Sequence, residues 1–208
     1  MTPDLYIICP LEIEARALLA MDAVDPARLL ISGPGRSVAG AVAQAHAAGA
    51  KSLVLAGFCA GLAPTPIAPP IGEVRTESGE ARKPTIRPGA TSIVGVDRIV
   101  ATPGDKAWMK KTTGAELADT ESHHFAAACD ELHLPWGVIR AVSDGPNDSL
   151  PPESAEWIDA LGRTRTTQVL IDVIRRPSLA PRVRTLARSS RHAAAGLRDA
   201  VREAIRRS

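Results

Sequence analysis

The chain has 208 residues, 45% of them apolar and 23% charged, with a formal net charge of +2. These values suit one globular domain with a full core. No apolar run approaches the ~20 residues that a membrane-spanning helix needs, which excludes that class. Only 3% of residues are aromatic, so the core must rest on Ala, Val, Leu and Ile.

Leu5-Tyr6-Ile7-Ile8-Cys9-Pro10 reads as a first strand. Asp4 precedes it and no basic region does, a pattern that does not fit a signal peptide. The segment from Leu11 to Leu19 is helical, with Glu12 and Glu14 in its first turn. Acidic residues there complement the helix dipole and by themselves require no catalytic purpose. Leu29-Leu30-Ile31-Ser32 is a second strand, leading into Gly33-Pro34-Gly35-Arg36. That turn lacks the third glycine and the downstream acid of a dinucleotide-binding fingerprint. An Ala-rich helix over 36–48 can pack closely on a sheet. Ser52-Leu53-Val54-Leu55-Ala56 is a third strand, ending in Gly57-Phe58-Cys59-Ala60-Gly61-Leu62-Ala63. Small residues in such a run let backbone approach a ligand closely.

Residues 63–91 carry six prolines and read as irregular connections around a strand at Ile71–Thr76. Ser92-Ile93-Val94-Gly95-Val96 is a further strand. Phe125 to Leu132 has apolar residues spaced three and four apart, which gives a helix with one buried face. Pro135 stops it, and Trp136-Gly137-Val138-Ile139-Arg140-Ala141-Val142 is rich in branched residues, as strands are. Glu121 stands at the start of that helix and Asp144 where the strand ends. Both positions suit helix-capping carboxylates, but ligands bind at strand C-termini in α/β sheets. His123 and His124 are adjacent on the helix and are expected to point apart. No zinc site is readable, and metal binding is not expected. Cys9, Cys59 and Cys129 are odd in number, widely spaced and set in apolar contexts, as buried reduced thiols are.

The C-terminal end is strongly basic. From Arg175 onward ten arginines stand against Asp199 and Glu203, a local charge of +8. Val183, Leu186, Ala187, Ala194, Leu197, Val201 and Ile205 recur at helical spacing. One reading is a helix that packs its apolar face on the domain and solvates its arginines. The other is a basic amphipathic helix that meets an anionic membrane surface. Charge alone would allow nucleic-acid binding, but no recognition motif or aromatic platform accompanies it, and none is expected.

Asp119-Thr120-Glu121-Ser122, a helix, and then Ile139-Arg140-Ala141-Val142-Ser143-Asp144 resemble the Met-Glu…Ile-Arg-x-Ile-Ser-Asp signature of the nucleoside phosphorylase and methylthioadenosine/S-adenosylhomocysteine nucleosidase superfamily. Gly33-Pro34-Gly35-Arg36 is similar to its Gly-x-Gly-Lys turn, and Gly57–Leu62 to its Gly-Ser/Thr-Ala-Gly-Gly-Leu loop. Ile71-Gly72-Glu73-Val74 is similar to its Gly-Asp-Val-Val strand start. These matches keep the family's order from residue 5 to 148. The resemblance implies a three-layer α/β/α fold with a central mixed sheet over residues 1–174, followed by a basic helical segment over 175–208. It implies cleavage of the N-glycosidic bond of a purine nucleoside, with adenine as base, and no cofactor.

Carried over residue by residue, the resemblance makes Asp144 the acid that protonates the leaving purine. Glu14, with Glu12 second, becomes the residue that positions an attacking water, and Glu121 the holder of the ribose hydroxyls. Gly57, Phe58, Cys59 and Ala60 would line the sugar and base pocket. Thr120 replaces the usual Met, Phe58 stands where the family keeps a hydroxyl, and Ala60 replaces a Gly. Arg140 would orient a carboxylate by bidentate pairing. If phosphate rather than water attacks, Gly35 and Arg36 are the candidates to hold it. The segment 101–114 is shorter than the family's usual base-binding region, so adenine would have fewer walls or borrow some from a neighbouring subunit of a homo-oligomer. Ser143–Pro152 and the Arg- and Ala-rich tail resemble the hopanoid-associated phosphorylase branch, whose substrate is a lipid-linked adenosine. That implies a cytoplasmic protein peripheral to the inner membrane. Two competing readings remain: a nucleoside-binding homologue without turnover, and a membrane-surface scaffold.

Overall fold

In the computed structural model, residues 4–206 are described; Arg207 and Ser208 of the basic tail lie outside them. The strands are β1 (Leu5–Cys9), β2 (Leu29–Ile31), β3 (Ser52–Gly61), β4 (Ile71–Thr76), β5 (Ala81–Arg82), β6 (Thr91–Gly95), β7 (Leu117–Asp119) and β8 (Trp136–Asp144). The α-helices are α1 (Glu12–Leu19), α2 (Ser37–Ala47), α3 (Pro103–Thr113), α4 (Ser122–Glu131), α5 (Thr166–Arg175) and α6 (Ala180–Arg206). The strands form one mixed sheet ordered β2-β1-β3-β7-β6-β4-β5, with β8 also paired to β3. β1, β2 and β8 run parallel within the β3 half of the sheet, while β7 meets the end of β3 antiparallel.

Strand side chains alternate between faces, and the two faces carry separate helix layers. Ile8, Leu53 and Leu55 face Val38, Ala41 and Val42 of α2 and Phe125, Ala126 and Cys129 of α4. Ile7, Cys9, Val54 and Ala56 face Ala15 and Leu18 of α1 and Ala193, Leu197 and Val201 of α6. The alanines of α2 and α6 let these helices lie close to the sheet. The result is the three-layer α/β/α arrangement with a mixed central sheet. A smaller cluster of Leu62, Val94, Val96, Met109 and Ala118 seats α3 on the other half of the sheet.

Three features differ from the sequence expectation. Gly57–Gly61 is not a loop but the second half of the ten-residue strand β3. It is kept extended because Gly57, Phe58 and Cys59 pair with Arg140, Ala141 and Val142, and Ala60 and Gly61 with β7. The segment 101–114 holds a full helix, α3, capped by the Thr102 hydroxyl accepting from Asp105 N at 3.1 Å. Its buried face is Lys106 and Met109, so apolar periodicity gives little sign of it. α5 likewise escapes the sequence reading: all its residues are half-buried or exposed.

Candidate active site

The long β3 places its C-terminal half between the end of β8 and the β1–α1 junction. Side chains from all three converge on a cavity of about 290 Å³. Its wall includes Glu14, Phe58, Cys59, Ala60, Thr120, Glu121 and Asp144. Glu14, Glu121 and Asp144 are all buried. Asp119 is buried on the same wall. Four buried acids on one cavity are costly unless each is compensated, and each is held differently.

Glu14 is the third residue of α1, and its Oε2 accepts from Leu11 N at 2.7 Å, the reach-back of a helix cap. Its Oε1 accepts from Phe58 N at 2.6 Å. Burial pushes its carboxyl up to about 8, against the pull of Arg140 and of the two backbone donors. A cap on a surface helix would show no such shift. Gly57 makes the arrangement fit: a Cβ there would come within 2.4 Å of Arg140 Nη1 and 2.7 Å of Glu14 Oε1.

Glu121 Oε1 accepts from Gly35 N at 2.9 Å and from the Thr120 hydroxyl. Its Oε2 faces Arg140 Nη2 at 3.0 Å. Burial raises its carboxyl, and Arg140 opposes that. The Thr120 hydroxyl thus supports the carboxylate rather than offering an apolar surface. Arg140 has no exposed surface and is not part of the lining of this cavity. It does not form a bidentate fork: one nitrogen, Nη2, bridges Asp119 at 2.5 Å and Glu121. Burial would lower its basicity, but Asp119, Glu121 and Glu14 overcome that and keep it charged. Gly57 and Arg140 therefore sit behind the residues that line this cavity and shape its wall.

Asp144 ends β8 against a fully buried lysine. Lys106 Nζ donates to Asp144 Oδ2 at 2.6 Å, to Gly145 O at 2.7 Å and to Asp148 O at 2.9 Å. Ser143 Oγ donates to Asp144 Oδ1 at 2.7 Å. Neither Lys106 nor Asp119 stood out in the sequence. A lysine on a buried helix face has no local signature, and Asp119 was readable only as a neighbour of Glu121.

Arg36 lines a neighbouring hollow with Gly35 and Thr120 rather than the acidic cavity itself. Its guanidinium is largely exposed and pairs with Asp97 Oδ2 at 2.9 Å, while the Gly35 N–H is taken by Glu121. His123 and His124 do not point apart as expected. Both Nε2 atoms approach Asp97 Oδ1, at 3.5 and 2.7 Å. Their rings lie 3.8 Å apart between centroids. Arg36 first, then His124, holds the Asp97 carboxyl well below the usual range. The three cysteines are free and buried, and Cys59 lines the cavity.

A second cavity, of about 470 Å³, joins the first through Leu11, Phe58, Ile99, Asp144 and Leu150. Trp157, Ile158, Val169 of α5 and Val183, Leu186 and Ala187 of α6 close it. It is an apolar chamber leading off the acidic pocket. The sequence placed α6 near the domain but not over the site.

The sheet half built from β4, β6, β7 and β8, with α3 to α5, coincides with the match found by family comparison. Residues 73–175 fit the family model of the phosphorylase superfamily. The match covers just under half of the chain. The whole chain is similar in fold to a Francisella philomiragia protein assigned as a 5'-methylthioadenosine/S-adenosylhomocysteine nucleosidase. The TM-score is 0.69, with 14% identity, over 98% of this chain and 99% of that one. A Neisseria meningitidis 5'-methylthioadenosine/S-adenosylhomocysteine nucleosidase, solved with methylthio-immucillin-A, matches 69% of this chain and 87% of its own. Its TM-score is 0.58, with 20% identity. The futalosine hydrolase of Helicobacter pylori matches at a TM-score of 0.60 and 14% identity, over 69% of this chain and 85% of its own. At these identities the superfamily likeness is one of fold. No curated protein sequence matches the chain.

Proposed function

We propose that this protein hydrolyses the N-glycosidic bond of an adenine nucleoside that carries a bulky apolar group on its sugar. The observation that carries the reading is the convergence of Glu14, Glu121 and Asp144, from three separate segments, on one cavity of about 290 Å³. Glycosidic cleavage needs an acid at the leaving base, a grip on the sugar and a base for the attacking water. Asp144 serves the base. Glu121, fixed by Gly35, Thr120 and Arg140, serves the ribose hydroxyls. Glu14, held by Leu11 and Phe58, takes the proton of water.

Water is favoured over phosphate because Gly35 and Arg36, the two groups that the resemblance offers for phosphate, are engaged by other partners. Arg36 is paired with Asp97 and the Gly35 N–H is spent on Glu121. The apolar chamber of about 470 Å³ beside the pocket supports a large hydrophobic substituent. A hopanoid-linked adenosine, which the resemblance at residues 143–152 and in the tail implies, is of that class. Such a substrate lies in a membrane. Exposed Arg182, Arg184 and Arg188 near the start of α6, by the chamber, suit docking to an anionic surface from the cytoplasmic side.

The test is adenine release from adenosine, methylthioadenosine and an adenosine bearing a long 5'-alkyl chain, with and without phosphate. Phosphate-independent release, fastest with the alkyl chain and lowered ~10²–10⁴-fold by Asp144→Asn, is the expected result. Release only with phosphate would make the enzyme a phosphorylase. Adenine binding with no release from any substrate would leave a nucleoside-binding protein without turnover.

A further inference from the structure

Asp144 is cast as the acid at the leaving base, yet it is engaged as the acceptor of an ammonium. That contact is among the least exposed in the molecule: Lys106 has no accessible surface and Asp144 is 6% exposed. A buried ion pair is costly to build and is weak evidence for a purely stabilising role. Nor does this lysine serve as a surface helix cation, since it sits on the inner face of α3, one turn before Met109.

The hydrogen-bond count around Nζ points to more than anchorage. An ammonium has three N–H donors, and here all three are used, on Asp144 Oδ2, Gly145 O and Asp148 O. A neutral amine has two donors and one lone pair. It would keep both carbonyls and use the lone pair to accept a proton-bearing Asp144 Oδ2. The proton can therefore cross the 2.6 Å contact without breaking any other bond of the group. The Ser143 hydroxyl, on Oδ1, fixes the carboxyl plane in either state.

Resting on the nucleosidase reading above, we infer that Lys106 is a positioning residue that stores the proton Asp144 delivers to the leaving base. In the resting site the proton is on Nζ. As the C1'–N9 bond breaks, its electron pair passes to the purine. Lys106 gives its proton to Asp144 Oδ2, and Asp144, turning that hydroxyl about its C–O bond, gives it to the purine ring nitrogen. Water adds to the sugar carbon and its proton goes to Glu14. Lys106 ends as a neutral amine and Glu14 as a carboxylic acid. Transfer of that one proton back through solvent, once the products leave, restores the starting charges.

Two substrates and two variants decide the matter. Adenosine needs a proton on its leaving base, whereas 4-nitrophenyl β-D-riboside loses a phenolate that needs none. In Lys106→Met, kcat on adenosine should fall ~10²–10⁴-fold, while kcat on the nitrophenyl riboside stays within about threefold. Lys106→Arg keeps a cation beside Asp144 but cannot release a proton, so it should be as impaired on adenosine as the Met variant. Because it leaves Asp144 paired, it carries the test if Lys106→Met fails to fold. Equal losses on both substrates would reduce Lys106 to a structural residue and overturn the inference. So would an arginine variant within threefold of the wild type on adenosine. Wild-type protein that releases adenine neither from adenosine nor from the 5'-alkyl adenosine would overturn the nucleosidase reading itself, and this inference with it.

Discussion

Glu14 has two backbone N–H donors on its carboxylate and Arg140 nearby, yet burial keeps its carboxyl near 8. As the base for water it must be ionised, so hydrolysis should rise with pH through about 8 and level off above. Glu14→Gln should lose ~10²–10⁴-fold in kcat/KM together with that limb of the pH profile. The same shift has a stability consequence of defined sign. The folded-state value lies above the ordinary 4.5, so the folded protein binds this proton more tightly than the unfolded chain does. Stability contributed by the group is present at low pH and is lost between about 4.5 and 8, on the order of a few kcal/mol. Denaturant unfolding of the wild type and of Glu14→Gln at pH 5 and 8.5 should show the wild type losing ground to the variant as pH rises. A constant difference would contradict the shift. Glu14, Glu121 and Asp144 were legible in the sequence as carboxylates at helix starts and a strand end. Lys106, Asp119 and the engagement of Arg36 by Asp97 were not, because each depends on a partner at least 20 residues away.

At the scale of elements, β3 joins the two halves of the sheet and carries the site on its second half. Its pairing with β8 sets Gly57 opposite Arg140, and that glycine gives room to both Arg140 and Glu14. Gly57→Ala would force a methyl within 2.4 Å of a fully buried guanidinium. Overpacking of this kind costs about 1–3 kcal/mol. The loss should appear in the denaturation midpoint, and activity should fall further as Glu14 and Arg140 are displaced. An alanine variant with unchanged stability and activity would show that the wall can yield. The short apolar runs of β1, β3 and β8 and the Ala-rich helix at 36–48 were readable locally. That β3 continues through Gly57–Gly61 was not. Glycine and small residues lower strand propensity, and here inter-strand hydrogen bonds from two neighbours override it.

Across the whole molecule, α5 and α6 do more than finish the domain. α6 buries Ala193, Ala194, Leu197, Val201 and Ala204 on the sheet and presents Arg182, Arg184 and Arg188 outward near its start. The same stretch walls the apolar chamber with Val183, Leu186 and Ala187. The two sequence readings of the tail, a packed helix and a basic surface, are thus compatible on different faces. Sedimentation with vesicles rich in anionic lipid should carry the protein down at low salt. Binding should weaken by roughly 1 kcal/mol for each of Arg182→Gln, Arg184→Gln and Arg188→Gln. Cosedimentation indifferent to salt and to these changes would remove the membrane-docking reading.

The sequence by itself determined the fold class, the order of the main elements and which carboxylates stand at element ends. The fold class follows from the resemblance of the ordered motifs to the superfamily. The elements and their ends follow from periodicity and turn residues that act over a few positions. Only the tertiary structure decided which side chains meet. Arg140 faces Asp119 and Glu121, Lys106 meets Asp144, Arg36 is tied to Asp97, and a chamber opens between α5, α6 and the acidic pocket. Burial turns these meetings into chemistry: a charge removed from water must find its counter-charge wherever the fold brings one, and local sequence does not encode that distance.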